Sequence, residues 1–128
     1  MRLLLDTCTF LWVISEPERI SAKARELFVD PSNEVFLSVV SCWEIAVKHA
    51  LGRLPLPESP GQFVPAQREA HGIQSLPLDE ECALHIARLP TLHTDPFDRM
   101  LVSQALVHGL ALVSPDKKIS QYPVRIFW

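Results

Sequence analysis

The chain has 128 residues, of which 48% are hydrophobic and 21% are charged, and its formal net charge is −3. These values favour one globular domain over residues 1–128 and exclude a disordered chain. The negative charge excludes a general basic surface for nucleic acid, so local basic residues or metal ions would have to meet any polyanion.

The three cysteines and the apolar segments indicate where the protein works. The cysteines are odd in number and widely spaced, which favours reduced thiols in a cytoplasmic protein over a disulfide framework. No apolar stretch approaches the ~20 residues that span a bilayer. We therefore expect a cytoplasmic protein with no membrane association.

Apolar runs alternate with helical patterns along the chain. In chain order we predict a strand at 2–6, a helix at 21–30, a strand at 34–38, a helix at 41–52, a weaker strand at 73–77, helices at 79–90 and 95–109, and strands at 110–114 and 124–128. Segment 52–61 contains three prolines and two glycines and is predicted to be a loop. Strands alternating with helices predict a three-layer α/β/α sandwich around a mainly parallel sheet of about five strands.

Acidic residues fall where the carboxyl ends of the predicted strands meet. Asp6 ends the first strand, and Asp116 lies two residues beyond strand 110–114. Glu44 and Asp98 lie near the starts of two predicted helices. Ligands of open α/β sheets bind at this edge, so we expect the four carboxylates to converge there. Their repulsion, roughly 4 kcal/mol per close pair at an effective dielectric near 20, favours a divalent cation, and oxygen ligands favour Mg²⁺ or Mn²⁺.

Each acid except Asp6 also has a purely structural interpretation, and the sequence leaves these open. Asp95 fits an N-cap followed by proline, which places Asp98 in the first helical turn. Ser41 and Glu44 have the spacing of a capping box. Asp116 follows Ser-Pro and fits a turn. Asp6 has no such alternative, because a carboxylate that ends a buried strand needs a partner or a metal.

Four segments together resemble a known family. They are "LLLDTCTFLW", "SVVSCWEIAVKHALGRL", "LPTLHTDPFDRMLVSQAL" and "LALVSPDKKISQYPV". Over essentially its whole length the chain resembles the PIN-domain ribonucleases and, within them, the VapC-type toxins of toxin–antitoxin pairs. The resemblance implies an RNA-hydrolysing site that binds Mg²⁺ or Mn²⁺ through four residues: Asp6, Glu44, Asp98 and Asp116. It also implies an RNA substrate, an antitoxin partner and a homodimer, and it makes Asp95 mainly a helix cap.

Neighbouring polar residues are expected to support such a site. Thr7 and Ser114 carry hydroxyls that would hold the acids or a water, and Ser114 stands where similar proteins usually have threonine. Cys8 stands where they often have histidine, and its soft thiol is not expected to be a ligand of a hard cation. His93 is expected to be solvated in a loop. The side chains of Trp12 and Trp43 are expected to pack in the core.

Basic residues close to the motifs are candidates for binding RNA phosphates, although a solvated surface position is the alternative for each. These candidates are Lys48, Arg53, Arg99 and Lys117. Two other functions remain open: a non-catalytic cation-binding or protein-interaction domain, and an aspartate-based phosphatase. The phosphatase would require an aspartate two residues after Asp6, where this chain has Cys8.

Overall fold

The computed structural model describes residues 1–128 and contains five strands and six α-helices. The strands are β1 (Arg2–Leu5), β2 (Glu34–Ser38), β3 (Gln74–Leu76), β4 (Ala111–Val113) and β5 (Ile126–Phe127). The helices are α1 (Thr7–Ser15), α2 (Ala22–Val29), α3 (Val39–Ala50), α4 (Pro60–Ala70), α5 (Glu80–His85) and α6 (Pro96–His108). No helix combines the length and the apolar character needed to cross a membrane.

The strands form one parallel sheet in the order β3-β2-β1-β4-β5. Leu5 of β1 lies beside Leu37 of β2 on one side and beside Val113 of β4 on the other. The chain builds the sheet outward from β1 in one direction and then continues on the opposite side with β4. The crevice beyond the ends of β1 and β4 is therefore the switch point at which α/β sheets bind ligands.

Alternate residues of each strand face two separate cores. Leu3 and Leu5 of β1 belong to a core that includes Phe10 of α1, whereas Leu4 faces a second core built around Leu101 of α6. These side chains are at most 1% exposed. Because strand side chains alternate between faces, a strand buried on both faces must be apolar at every position. The predicted three-layer α/β/α sandwich is confirmed.

The helix predicted at 41–52 begins earlier than expected. Its N-cap is Ser38, whose hydroxyl accepts a hydrogen bond from the amide of Val40 at 3.0 Å. Ser41 therefore lies inside the first turn, and the capping-box interpretation of Ser41 and Glu44, which the sequence left open, is wrong. Both of these side chains are buried instead. The helix ends near the predicted position, at Ala50.

Two helices were not predicted. Helix α1 starts directly after Asp6, which caps it, and its apolar sequence is packed into the core rather than amphipathic. Helix α4 begins at Pro60, within the segment predicted to be a loop, because proline is well tolerated at the first helical position. Pro65 interrupts its hydrogen-bond pattern, yet Phe63 and Val64 are buried and hold the helix on the sheet.

Candidate active site

Asp6 lies at the switch point of the sheet and is only 4% exposed. One carboxylate oxygen accepts a hydrogen bond from the amide of Thr9 at 2.9 Å and so caps α1. The other accepts a hydrogen bond from the hydroxyl of Ser114. Burial raises the pKa of Asp6, and hydrogen bonds from Ser114, Thr9 and Cys8 oppose that rise only in part. Asp6 is thus a rigidly held carboxylate whose charge is costly in the metal-free protein.

Glu44 of α3 is 6% exposed and has both carboxylate oxygens engaged. Thr7 donates its hydroxyl proton to Oε1 at 2.7 Å, and Lys48 forms an ion pair with Oε2. Because the Thr7 hydroxyl has one proton, Ser41, whose hydroxyl lies 2.9 Å away, donates to Thr7. Burial lowers the pKa of Lys48, but the hydrogen bond and the charge of Glu44 outweigh it and raise the pKa overall. Lys48 therefore contacts Glu44, whereas the sequence suggested an RNA phosphate as its partner.

Asp95 and Asp98 have different roles at the start of α6. Asp95 is the N-cap, and its Oδ1 accepts hydrogen bonds from the amides of Phe97 at 2.9 Å and Asp98 at 3.2 Å. Asp98 follows in the first turn, with its side chain 19% exposed. Its carboxylate remains free of the capping hydrogen bonds.

Asp98 lies within the electrostatic influence of the other acids. The pKa of Asp98 is raised to about 7, and burial is the largest cause of this rise. Four other carboxylates raise it further through their negative charges: Asp95, Asp116, Glu44 and Asp6. The structure thus brings together acids that are far apart in the sequence.

Asp116 is linked to Asp6 through Ser114. The amide of Asp116 donates to the Ser114 hydroxyl at 3.0 Å, and that hydroxyl donates to Asp6. Asp116 also accepts a hydrogen bond from the amide of Lys118 at 2.8 Å, as the turn interpretation predicted. Ser114, which is 2% exposed, therefore fixes two loops relative to each other.

Cys8 and His93 both contact the acidic cluster. The Cys8 sulfur lies 3.4 Å and 3.5 Å from the two oxygens of Asp6. Burial and then the charge of Asp6 raise the pKa of Cys8 to about 12, so the group is a neutral thiol that donates to Asp6. His93 was expected to be solvated, and this is wrong: its side chain is 10% exposed and its Nε2 lies 3.6 Å from Asp98 Oδ2. No sequence pattern indicated this contact, because it depends on how the loop before α6 packs.

The two tryptophans differ from each other in burial. Trp12 is partly buried against the core that contains Phe10. Trp43 is 58% exposed, so its predicted core position is wrong. Its indole instead packs edge-to-face on Phe97, with ring centroids 4.9 Å apart, next to the start of α6. Because Phe97 directly precedes Asp98, the exposed aromatic surface of Trp43 lies beside the start of α6 that carries this acid.

The remaining basic candidates have different environments. Arg99 donates through Nη1 to the carbonyl of Pro90 and to the hydroxyl of Tyr122, each at 2.9 Å, so this nitrogen is occupied within the protein. Arg53 and Lys117 are exposed. Lys117 lines a depression of about 170 Å³ that also includes Ser114 and Asp116.

A second group of potential metal ligands lies away from this cluster. The ligand atoms of Asp79, Cys82 and His108 lie within 4.8 Å of one another. Asp79 caps α5 by accepting from the amide of Cys82, and its other oxygen lies 2.8 Å from His108 Nε2. His108 is ten residues from Asp98 on α6, or roughly 15 Å along the helix. Helix capping and the contact with His108 account for this arrangement.

Comparison with known families identifies the fold. The PIN-domain model matches residues 3–124. The chain belongs to the PIN-domain family. The PIN-domain resemblance inferred from the four motifs is therefore confirmed. PIN-domain nucleases in general use a divalent metal ion.

Individual relatives of the PIN domain cover the chain to different extents. Ribonuclease VapC22 of Mycobacterium tuberculosis is 25% identical over 120 residues, which is 93% of this chain and 90% of that protein. Ribonuclease VapC16 of the same organism is 35% identical over 63 residues, or 49% of this chain, and the match spans only 45% of VapC16.

Solved structures share the PIN-domain fold at low sequence identity. VapBC2 from Rickettsia felis, bound to a DNA fragment from its promoter, superposes with a TM-score of 0.74 at 14% identity and covers 99% of this chain and 98% of its own. VapBC-1 from nontypeable Haemophilus influenzae gives a TM-score of 0.65 at 19% identity, with 99% and 97% covered. These matches establish the fold alone.

Proposed function

We propose that this protein is a metal-dependent endoribonuclease that hydrolyses RNA phosphodiester bonds with Mg²⁺ or Mn²⁺, and that it is the toxin of a toxin–antitoxin pair. The observation that carries this proposal is the arrangement of the acids at the switch point of the sheet, where Ser114 hydrogen-bonds to Asp6 and to the amide of Asp116. Asp98 lies close enough to these acids and to Glu44 for their charges to raise its pKa. A fold that gathers negative charge in this way at the ligand-binding edge of its sheet is suited to a cation.

The donor atoms of the cluster fit a hard divalent cation. The atoms of the cluster that can bind a metal are carboxylate oxygens. The nearby Cys8 sulfur belongs to a neutral thiol that donates a hydrogen bond to Asp6. Mg²⁺ and Mn²⁺ prefer oxygen ligands, whereas softer metals prefer thiolate and imidazole. Lys48 balances only one of the acids, Glu44. A cation would relieve the remaining repulsion, and Asp6, Asp98 and Asp116 would hold it.

The chain's own residues would then orient the reaction. A bound divalent cation supplies positive charge to a phosphodiester and makes water a better nucleophile at neutral pH. Ser114 holds Asp6, and Thr7 holds Glu44, so that both carboxylates keep a fixed direction. Glu44 would position the attacking water and accept its hydrogen bond. Such pre-positioning lowers the barrier because the groups need not reorganise during the reaction.

RNA would be held by local features, since the chain as a whole is negative. Arg53 and Lys117 are exposed near the motifs and would contact phosphates flanking the cleaved bond. Trp43, exposed beside Phe97, offers a flat surface on which an unpaired base would stack. Stacking of this kind is tolerant of sequence, so target choice would follow from the shape of the groove.

The same proposal extends to partners and location. Ribonucleases VapC16 and VapC22 are relatives by sequence, and two solved structures of similar fold are VapBC2 and VapBC-1. We propose a cognate antitoxin protein as the partner and a homodimer as the assembly. The three cysteines are free, which fits the reducing cytoplasm.

Cleavage of RNA by matched aspartate variants tests this function. Purified protein is incubated with total cellular RNA and with a labelled oligonucleotide in Mn²⁺, Mg²⁺ or EDTA, beside Asp6→Asn and the control Asp30→Asn. Asp30 is an exposed aspartate whose side chain bonds only to Ser32. We expect metal-dependent cleavage by the wild type and by the control, and none by folded Asp6→Asn.

Other outcomes of this experiment distinguish the alternatives. Equal cleavage by Asp6→Asn and wild type would show that the acids are not the active site. Binding of Mn²⁺ that raises the melting temperature without cleavage of any RNA would favour a non-catalytic cation-binding domain. Cys8 occupies the position where an aspartate-based phosphatase needs its acid, and its thiol pKa of about 12 makes it unsuited to that role.

A further inference from the structure

A chain of hydrogen bonds leads from the surface of α6 to the edge of the acidic cluster. Arg99 Nη1 lies 2.9 Å from the hydroxyl oxygen of Tyr122, and that oxygen lies 2.8 Å from Nδ1 of His93. The rings of His93 and Tyr122 pack edge-to-face with centroids 5.4 Å apart. Tyr122 is 3% exposed, so this series of hydrogen bonds runs through the interior of the protein. It ends at Nε2 of His93, which faces Asp98.

The hydrogen-bonding capacities of these groups fix the position of each proton. A guanidinium only donates, so the Tyr122 oxygen accepts from Arg99. The Tyr122 hydroxyl has one proton of its own, and His93 Nδ1 is the acceptor within reach. If Nδ1 carried a proton instead, the hydroxyl proton of this buried tyrosine would have no acceptor, at a cost of about 1–3 kcal/mol. A neutral His93 therefore carries its proton on Nε2.

Nε2 of His93 is the one polar side-chain atom in the protein that is buried without a hydrogen-bond partner. The carboxylate oxygen that faces it is Asp98 Oδ2, at a distance of 3.6 Å. This distance is longer than a hydrogen bond, and a movement of roughly 0.7 Å would bring it to the usual 2.9 Å. A buried donor that almost reaches an acid of the cluster indicates a contact that closes when the site is loaded.

We propose that His93 is a positioning residue for Asp98. When Asp98 holds the cation, His93 Nε2–H donates to Oδ2 and leaves Oδ1 facing the metal. Carboxylates that ligate metals are generally fixed by such outer hydrogen bonds. Tyr122 and Arg99 act one step further out, by keeping the His93 ring in the required tautomer. This inference rests on the proposed metal-dependent function.

The tautomer is measured in metal-free protein, so it does not depend on activity. Nitrogen-15 NMR of the imidazole at mildly alkaline pH, where free histidine is neutral, distinguishes protonated from unprotonated ring nitrogens. We expect His93 Nδ1 to be unprotonated and Nε2 to be protonated. In Tyr122→Phe, which retains the ring but removes the hydroxyl, we expect a mixture of tautomers. A proton on Nδ1 in the wild type would overturn the proposal.

Binding of Mn²⁺, followed by the electron paramagnetic resonance signal of the free ion, tests the positioning itself. We expect His93→Ala to weaken Mn²⁺ binding about tenfold or more. His93→Gln places an amide N–H close to the position of Nε2 and is expected to recover most of the affinity. His71→Ala is the matched control, because His71 ends α4 and bonds within it to Gln67.

The possible results separate this inference from the proposed function. If the wild type binds no Mn²⁺, the proposed function fails and the positioning role of His93 fails with it. If the wild type binds Mn²⁺ and His93→Ala binds it equally well, only the positioning role is overturned. Affinity in folded His93→Gln no better than in His93→Ala would also overturn it, because the donated hydrogen bond would then be irrelevant.

Discussion

Replacing Asp98 with asparagine is expected to stabilise the metal-free protein above pH 7. Burial and four neighbouring carboxylates raise the pKa of Asp98 from 3.8 to about 7. Between these values, the unfolded chain releases the Asp98 proton while the folded chain keeps it. The stability that this proton contributes is complete below pH 3.8 and is lost as the pH rises through 7. Asparagine does not ionise, so the variant avoids this loss.

The expected gain follows from the size of the pKa change. At about 1.4 kcal/mol per pH unit, the ceiling is about 4 kcal/mol. The carboxylate is partly open to solvent, and screening reduces the figure to about 2 kcal/mol. Asparagine also loses the attraction of a carboxylate to the N-terminus of α6, which is worth about 0.5 kcal/mol. We expect Asp98→Asn to be about 1.5 kcal/mol more stable at pH 8, or about 5 °C higher in melting temperature.

The assay is urea unfolding of the wild type and Asp98→Asn at pH 5 and pH 8 in EDTA, with Glu58→Gln as an exposed-acid control. The advantage of the variant should be largest at pH 8 and below about 1 kcal/mol at pH 5, where the folded wild type still holds its proton. Added Mn²⁺ should stabilise the wild type and not the variant. If Asp98→Asn is no more stable than the wild type at pH 8, or if the difference in stability does not change with pH, the charge of Asp98 does not destabilise the folded protein.

Three further substitutions test individual contacts. Thr7→Val keeps the side-chain shape but removes the hydrogen bond to Glu44, so kcat/KM for RNA should fall about tenfold. An unchanged kcat/KM would contradict the orienting role of Thr7. Ser38→Ala removes the N-cap of α3 and the partner of buried Gln104, which should lower the free energy of unfolding in urea by about 2 kcal/mol. Gly109 is the C-cap of α6 and has a φ of 67°, a left-handed conformation that alanine adopts at a cost of about 1 kcal/mol; no atom would clash with the added methyl group. Gly109→Ala should therefore lower the free energy of unfolding by about that amount in the same assay, and a neutral result would show that the C-cap relaxes.

The sheet and the acids could be predicted because local sequence determines them. Strands β1, β2 and β4 are short, largely apolar on both faces and bounded by polar or turn residues, so the parallel character of the sheet followed from their alternation with helices. Strand β3, which carries Gln74 and Ser75, was accordingly the weaker prediction. Asp6 was expected at the site because ligands bind at the carboxyl ends of strands, and Asp98 because it lies in the first turn of the helix that leads into β4. The capping role of Asp95 followed from its place before Pro96.

The features that were missed depend on choices that local sequence leaves open. Ser38 and Ser41 both precede apolar helical residues, and the intervening valines suit a strand as well as a helix, so the true N-cap was ambiguous. His93 bonds to Tyr122, 29 residues away, and this contact exists only after the loop before α6 packs against the segment after β4. The ion pair between Glu44 and Lys48 did have a signal, because an acid four residues before a base is the favoured helical spacing.

The location of Mn²⁺ in a crystal of the protein would show whether the acidic cluster holds the cation. Anomalous scattering identifies the ion independently of activity. We expect a peak coordinated by carboxylate oxygens of Asp6, Asp98 and Asp116 that is lost in crystals of Asp98→Asn. A peak at Asp79 and His108 instead, or no peak from a preparation that cleaves RNA, would show that the acidic cluster does not hold the catalytic cation.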